Sequence, residues 1–143
     1  MENYMKLEFP SKSCNEAFAR AAVGAFAARL DLTVEELADI KTAVSEAVTN
    51  SIVHAYPERR GVVEIRCNIS DNTLTVVVKD TGCGIADIEQ AMQPMYSTGA
   101  EDERSGMGFT VMQSFMDTLH VVSKPGEGTC VTMTKRIGAD TYA

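Results

Sequence analysis

From Gly61 to Asp80 the apolar residues recur at every second position, a period that belongs to a strand and not to a helix. Val63, Ile65, Cys67 and Ile69 share one side, Asp71 and Asn72 supply a turn, and Leu74, Val76 and Val78 keep the phase on the return. This is a hairpin with one apolar face, and such a face needs a cover before it is stable in water. Asp80 holds the next position in the phase of the buried valines. A carboxyl group there is either hydrogen-bonded or costs several kcal/mol in desolvation.

The cover is written upstream at helical period. Thr33 and Glu36 form a capping box, and Leu37, Ile40, Val44, Val48 and Ile52 give the next helix an apolar face that ends near Tyr56 and Pro57. An earlier helix is expected from Ser13 to Leu30, with Ser13 and Glu16 as its capping box and Phe18, Ala22 and Phe26 as its buried side. Before it, MKLEF alternates like an edge strand ahead of Pro10. Beyond the hairpin, Asp87 to Met92 reads as a short helix and Met107 to Met116 as a second. Thr118 to Ser123 and Thr129 to Arg136 read as strands around the turn Pro125-Gly126-Glu127-Gly128. Between the two short helices, residues 93–105 lack a sustained period and are expected to form a mobile lid. The chain is therefore read as α/β, with residues 1–143 as a single domain.

Several functions are excluded by composition. A net charge of −7 without clustered Lys and Arg argues against direct nucleic-acid binding and leaves a basic protein partner open. No stretch approaches the roughly 20 apolar residues that span a bilayer, and the first residues lack a signal-peptide core, so a cytoplasmic protein is expected. Cys14, Cys67, Cys83 and Cys130 contain no CxxC pair and are read as reduced thiols, Cys67 and Cys130 as core fillers.

Three motifs carry chemistry. In EAVTNSIVHAY, Glu46 and Asn50 stand four residues apart and share a helical stripe with His54, which is read as a structural hydrogen-bonding residue. Asn50 offers a carbonyl oxygen of the kind magnesium accepts, and Glu46, one turn away, suits a general base. Alone, the pair reads more readily as a solvated polar stripe. In Asp80-Thr81-Gly82-Cys83-Gly84 the glycines allow a tight turn beside a flat group, although a turn capped by Asp gives the same letters. In Ser105-Gly106-Met107-Gly108 a glycine pair opens a helix, a place suited to phosphate. A dinucleotide-binding reading fails because polar loop, not strand, precedes Gly106 and no GxGxxG is completed.

Taken in order over residues 33–136, ExxxN on a helix, DxGxG after a hairpin, SGMGF after a loop and Gly128-Thr129 entering a strand resemble the ATPase and kinase superfamily of gyrase, Hsp90, MutL and histidine kinases. EAVTNSIVHAY, DTGCGI and ERSGMGF resemble most closely the bacterial anti-sigma-factor serine kinases, and NEAFAR points to their sporulation branch. The resemblance implies a two-layer sandwich, a mixed and mostly antiparallel sheet with helices on one face, binding ATP or ADP with Mg. It implies Glu46 as catalytic base, Asn50 as Mg ligand and Asp80 as acceptor for the adenine amino group. Gly82 and Gly84 would lie under the base, with Thr129 supporting the adenine end. Arg104, Ser105, Gly106, Met107 and Gly108 would meet the phosphates.

It also implies a sporulation sigma factor held inactive, an anti-anti-sigma protein phosphorylated on serine, and a homodimer. Arg20, placed by its spacing on the exposed side of the first helix, is the expected partner contact. The lid departs from the family, since Ser97-Thr98 is followed by Gly99 where a lysine is common. Two alternatives share the same pocket: a general-stress anti-sigma kinase, and a nucleotide-gated binding module without useful catalysis. Glu46 argues against the second, because a pure sensor has no need of a base.

Overall fold

The computed structural model describes residues 2–57, 59–92 and 108–138. Strand β1 (Asn3–Pro10) leads into helices α1 (Cys14–Ala27) and α2 (Val34–Val53), followed by the hairpin β2 (Val62–Ser70) and β3 (Thr73–Asp80). Short helices α3 (Ile88–Met92) and α4 (Phe109–Phe115) precede strands β4 (Thr118–Lys124) and β5 (Gly128–Arg136). The five strands lie in the order β1-β2-β3-β5-β4, so the first strand is an edge as its sequence suggests. Every described pairing is antiparallel, and the parallel pair that a mixed sheet would need is not among the described residues.

The hairpin keeps the phase set by its sequence. Val63, Ile65, Cys67, Ile69, Leu74, Val76, Val78 and Asp80 are all buried, beneath a helical layer that supplies Val23, Ile40, Val44, Val48, Phe109 and Met112. Asp71 and Asn72 take the positive φ values of 51° and 62° that a tight hairpin turn uses. Burial pushes the Cys67 thiol up to about 12, so it remains a protonated core filler. Cys130 does not share that role. It alternates with buried Val131 and sits half-buried on the opposite face, across from Lys79. All four cysteines are free.

Helix α2 starts as expected. Thr33 Oγ1 accepts from the Glu36 N–H at 3.0 Å, and the Glu36 carboxylate accepts from the Thr33 N–H at 2.9 Å. The Thr33 N–H holds the Glu36 carboxyl below the usual carboxylate range. A lowered folded-state pKa gives stability that is present above the unfolded value and lost as pH falls through the folded one. Thr33→Ala is expected to lower unfolding stability by about 1 kcal/mol in urea titrations at neutral pH. A smaller Glu36 contribution in acid is the companion result.

Helix α1 corrects the sequence reading in three respects. Ser13 has helical dihedrals, φ −58° and ψ −31°, and makes no capping bond, because an N-cap side chain can reach back only from an extended backbone. Glu16 instead turns across to α2, accepting from Ser45 Oγ at 2.6 Å. The helix ends at Ala27, and its buried stripe is Ala19, Val23 and Ala27, while Phe18 is 54% exposed. Small residues win that face because α1 approaches α2 closely: a Cβ on Gly24 would stand 3.3 Å from the Lys41 side chain. Arg20 therefore flanks the packed face. Its side chain is 40% exposed and paired to Glu16 at 3.5 Å.

Candidate functional site

The hairpin delivers Asp80 to the end of the sheet, where it is 5% exposed. Three protein donors hold it. Oδ1 accepts from the Gly82 N–H at 3.0 Å and the Thr129 N–H at 3.2 Å, and Oδ2 accepts from the Ser51 hydroxyl at 2.9 Å. The desolvation cost expected for a buried aspartate is thus offset by the fold itself. A carboxylate has about four acceptor directions, so Oδ2 retains one for a further donor.

Around Asp80 the chain forms a small cleft that opens to solvent, lined among others by Asn50, Ser51, Gly84, Ile85, Phe109 and Thr129. Four of the residues singled out in the sequence thereby come together: Asn50, Asp80, Gly84 and Thr129. Gly82 lies directly behind, where any Cβ would overlap the backbone of Ala55. Gly84, at φ +76°, occupies a left-handed conformation against the Lys124 carbonyl, a place and a dihedral that only glycine tolerates. The loop between these glycines is pinned on both sides. The Cys83 N–H donates to the Ala55 carbonyl at 2.9 Å, and the Cys83 carbonyl accepts from the Gly126 N–H at 2.7 Å.

Glu46 stands one turn before Asn50 on α2 and abuts Gly108, the residue that caps α4 at φ +66°. A Cβ on Gly108 would overlap the Glu46 carboxylate. The ExxxN stripe and the second glycine motif are therefore neighbours in space, although about sixty positions of chain separate them. Among the described residues no three His, Cys, Asp or Glu converge as a metal cage. A hard divalent cation that keeps its waters and takes phosphate oxygens needs only one or two protein oxygens, and the Asn50 amide carbonyl is of that kind. His54 caps α2, its backbone N–H donating to the Asn50 backbone carbonyl at 2.9 Å, and its own backbone carbonyl accepts from the Cys83 thiol at 3.1 Å.

Arg104, Ser105, Gly106 and Met107 lie outside the described residues, as do Ser97, Thr98, Gly99 and the rest of the expected lid. Arg20 belongs to α1 and is not among the residues lining the cleft. Three contributors escaped the sequence reading: Ser51, Tyr56 and Ser123. Ser51 is 3% exposed, a small polar residue four after buried Ala47 on the apolar stripe, and that placement was its one available signal. Ser123 accepts from the Ile85 N–H at 2.8 Å and lies 2.7 Å from the Thr129 hydroxyl, a bridge that only tertiary pairing reveals.

Residues 9–135 match the histidine kinase-like ATPase domain family. The chain is 62% identical over 136 residues to the anti-sigma F factor of Caldanaerobacter subterraneus subsp. tengcongensis, covering 95% of each chain. It is 55% identical over 136 residues to the anti-sigma F factor of Clostridium novyi, covering 94% of this chain and 95% of the relative. Among solved structures, the RsbU and RsbW domains of a Mycobacterium tuberculosis protein superpose with a TM-score of 0.68 at 17% identity, over 94% of this chain and 32% of that one. The histidine kinase domain of the Erythrobacter litoralis blue-light activated kinase gives a TM-score of 0.61 at 22% identity, over 90% and 62%. At these identities the two structures establish the fold alone.

Proposed function

The chain belongs to the anti-sigma F factor family, on a histidine kinase-like ATPase fold, and from that premise we propose that it inhibits a sporulation sigma factor and phosphorylates a serine of the anti-anti-sigma protein that opposes it. One observation carries the catalytic half of this reading. Asn50, Asp80, Gly84 and Thr129 line a single cleft whose neighbouring wall brings Glu46 against Gly108.

In this reading Asp80 accepts the adenine amino group through the free direction of Oδ2, while Gly82, Gly84 and Thr129 shape the pocket for a flat base. Asn50 would hold Mg through its side-chain carbonyl oxygen. Bound Mg-ATP supplies the transferable phosphoryl group and the divalent charge across its phosphates. Glu46 takes the proton from the attacking serine hydroxyl. Gly108, and with it Arg104, Ser105, Gly106 and Met107, meets the phosphates. The acting unit is a homodimer of single-domain chains. Among the described residues no helix is long and apolar enough to cross a membrane.

The test is incubation with labelled ATP, Mg and the purified anti-anti-sigma protein, followed by a pull-down of the sigma factor in ATP and in ADP. Phosphoserine on the antagonist and nucleotide-dependent capture of the sigma factor are expected. Capture without phosphate transfer returns the chain to the nucleotide-gated module.

Arg20 is assigned to partner capture. Its i,i+4 pair with Glu16, at 3.5 Å and with the arginine 40% exposed, is a weak hold of the kind worth about 0.3–0.5 kcal/mol, so a partner carboxylate can recruit the guanidinium. Arg20→Ala is expected to weaken capture of the sigma factor, its antagonist or both by about 2 kcal/mol or more. ATP affinity should not change. Unaltered binding of both partners makes Arg20 a surface charge.

A further inference from the structure

The β2-β3 ladder closes with Val63 facing Asp80, so Val62 and Thr81 are the next residues in register. A side chain stands between them. The Thr81 N–H donates to the Tyr56 phenol oxygen at 2.8 Å, and that phenol donates to the Val62 carbonyl at 2.9 Å. Thr81 Oγ1 lies 3.3 Å from the same oxygen. The phenol has one proton, already given to Val62, so the threonine hydroxyl is the donor in this last contact. The hydroxyl of Tyr56 is thereby fully used.

The ring itself is held. Tyr56 is 5% exposed, Gly61 crosses its edge so closely that a Cβ would overlap ring atoms, and the Arg59 guanidinium lies 5.3 Å from the ring centroid. Tyr56 also follows the end of α2 by three residues, so it ties the helix that carries Glu46 and Asn50 to the strand end that carries Asp80.

We propose that Tyr56 is a positioning residue of the nucleotide site, its hydroxyl serving as an inserted rung that turns the chain out of the sheet directly after Asp80. This rests on the reading of the cleft as a nucleotide site. Two successive hydrogen bonds keep Val62 and Thr81 apart, whereas a direct N–H···O bond would draw donor and acceptor to about 2.9 Å. Without the hydroxyl the ladder either zips by one rung or leaves two backbone groups unpaired. In both cases Gly82 moves, and its N–H is one of the donors that aim Asp80.

Tyr56→Phe keeps the ring and removes the rung. Ser11→Ala is the control, because Ser11 braces the other side of the same corner, exchanging bonds of 2.9 Å with Gly61 and making none with Thr81. Calorimetric titration of ATP and GTP should show Tyr56→Phe losing roughly 10-fold in ATP affinity, with the ATP-over-GTP preference narrowing by a similar factor. Ser11→Ala should lose stability while both nucleotide affinities hold. A Tyr56→Phe protein that unfolds earlier yet binds ATP like wild type overturns the proposal, since its rung would be structural only.

If that variant does not fold, amide exchange in the wild type decides. Thr81 should exchange as slowly as its neighbours in β3, and exchange at the rate of an open loop overturns the proposal. Wild-type protein that binds no ATP at all overturns the nucleotide reading and the proposal together, an outcome distinct from the loss of the Tyr56 effect alone.

Discussion

Glu46→Gln is expected to leave ATP affinity nearly intact and to slow phosphoryl transfer by roughly 10²- to 10⁴-fold, the usual contribution of a positioned base. Glutamine preserves the shape of the side chain, so the contact with Gly108 survives and the start of α4 stays in place. Glu46 is also absent from the residues that line the cleft, which Asn50 and Asp80 reach directly. Loss of its basicity therefore acts on transfer and spares binding. Single-turnover transfer from labelled ATP to the anti-anti-sigma protein, alongside calorimetry, separates the two. A wild-type transfer rate would make the ExxxN stripe structural. Capture of the sigma factor should persist, since inhibition needs nucleotide and surface but no proton transfer.

The sheet was legible because strand period, turn residues and burial phase agree from Gly61 to Asp80, and a one-residue slip would expose every valine in it. Helix α2 was legible for a similar reason: its capping box and apolar stripe mark one start and one face. Helix α1 misled because apolar character alone does not rank Phe18 against Ala19. The close approach at Gly24 selects small side chains, and the large one is left outside. Motif order identified Asn50, Asp80, Gly84 and Thr129, which do meet in one cleft. Ser51, which bonds Asp80, and Tyr56 and Ser123, which brace the residues around it, were hidden because they reach their partners through packing between elements far apart in sequence. Cys130 was misplaced by counting its strand as apolar without fixing its phase, although buried Val131 next to it settles the side.

Asp80→Asn is expected to lower ATP affinity by about 1.5 to 3 kcal/mol, roughly 10- to 150-fold, because it removes a charged acceptor and replaces it partly with a donor. The structure determines which oxygen changes. Oδ1 accepts from two backbone N–H groups, of Gly82 and Thr129, and so must remain an oxygen in the asparagine. The amide nitrogen then falls at the Oδ2 position, facing Ser51. That hydroxyl can rotate to accept where it formerly donated at 2.9 Å, so the fold loses little. The ligand has no such freedom, since the adenine amino group is a donor and would meet a second donor. GTP reverses the polarity: its carbonyl faces a carboxylate in the wild type and an amide N–H in the variant. Wild type should thus prefer ATP strongly, and Asp80→Asn should narrow or invert the preference. Equal affinity of wild type for ATP and GTP would remove Asp80 from base recognition and leave it as the structural clasp between Ser51, Gly82 and Thr129.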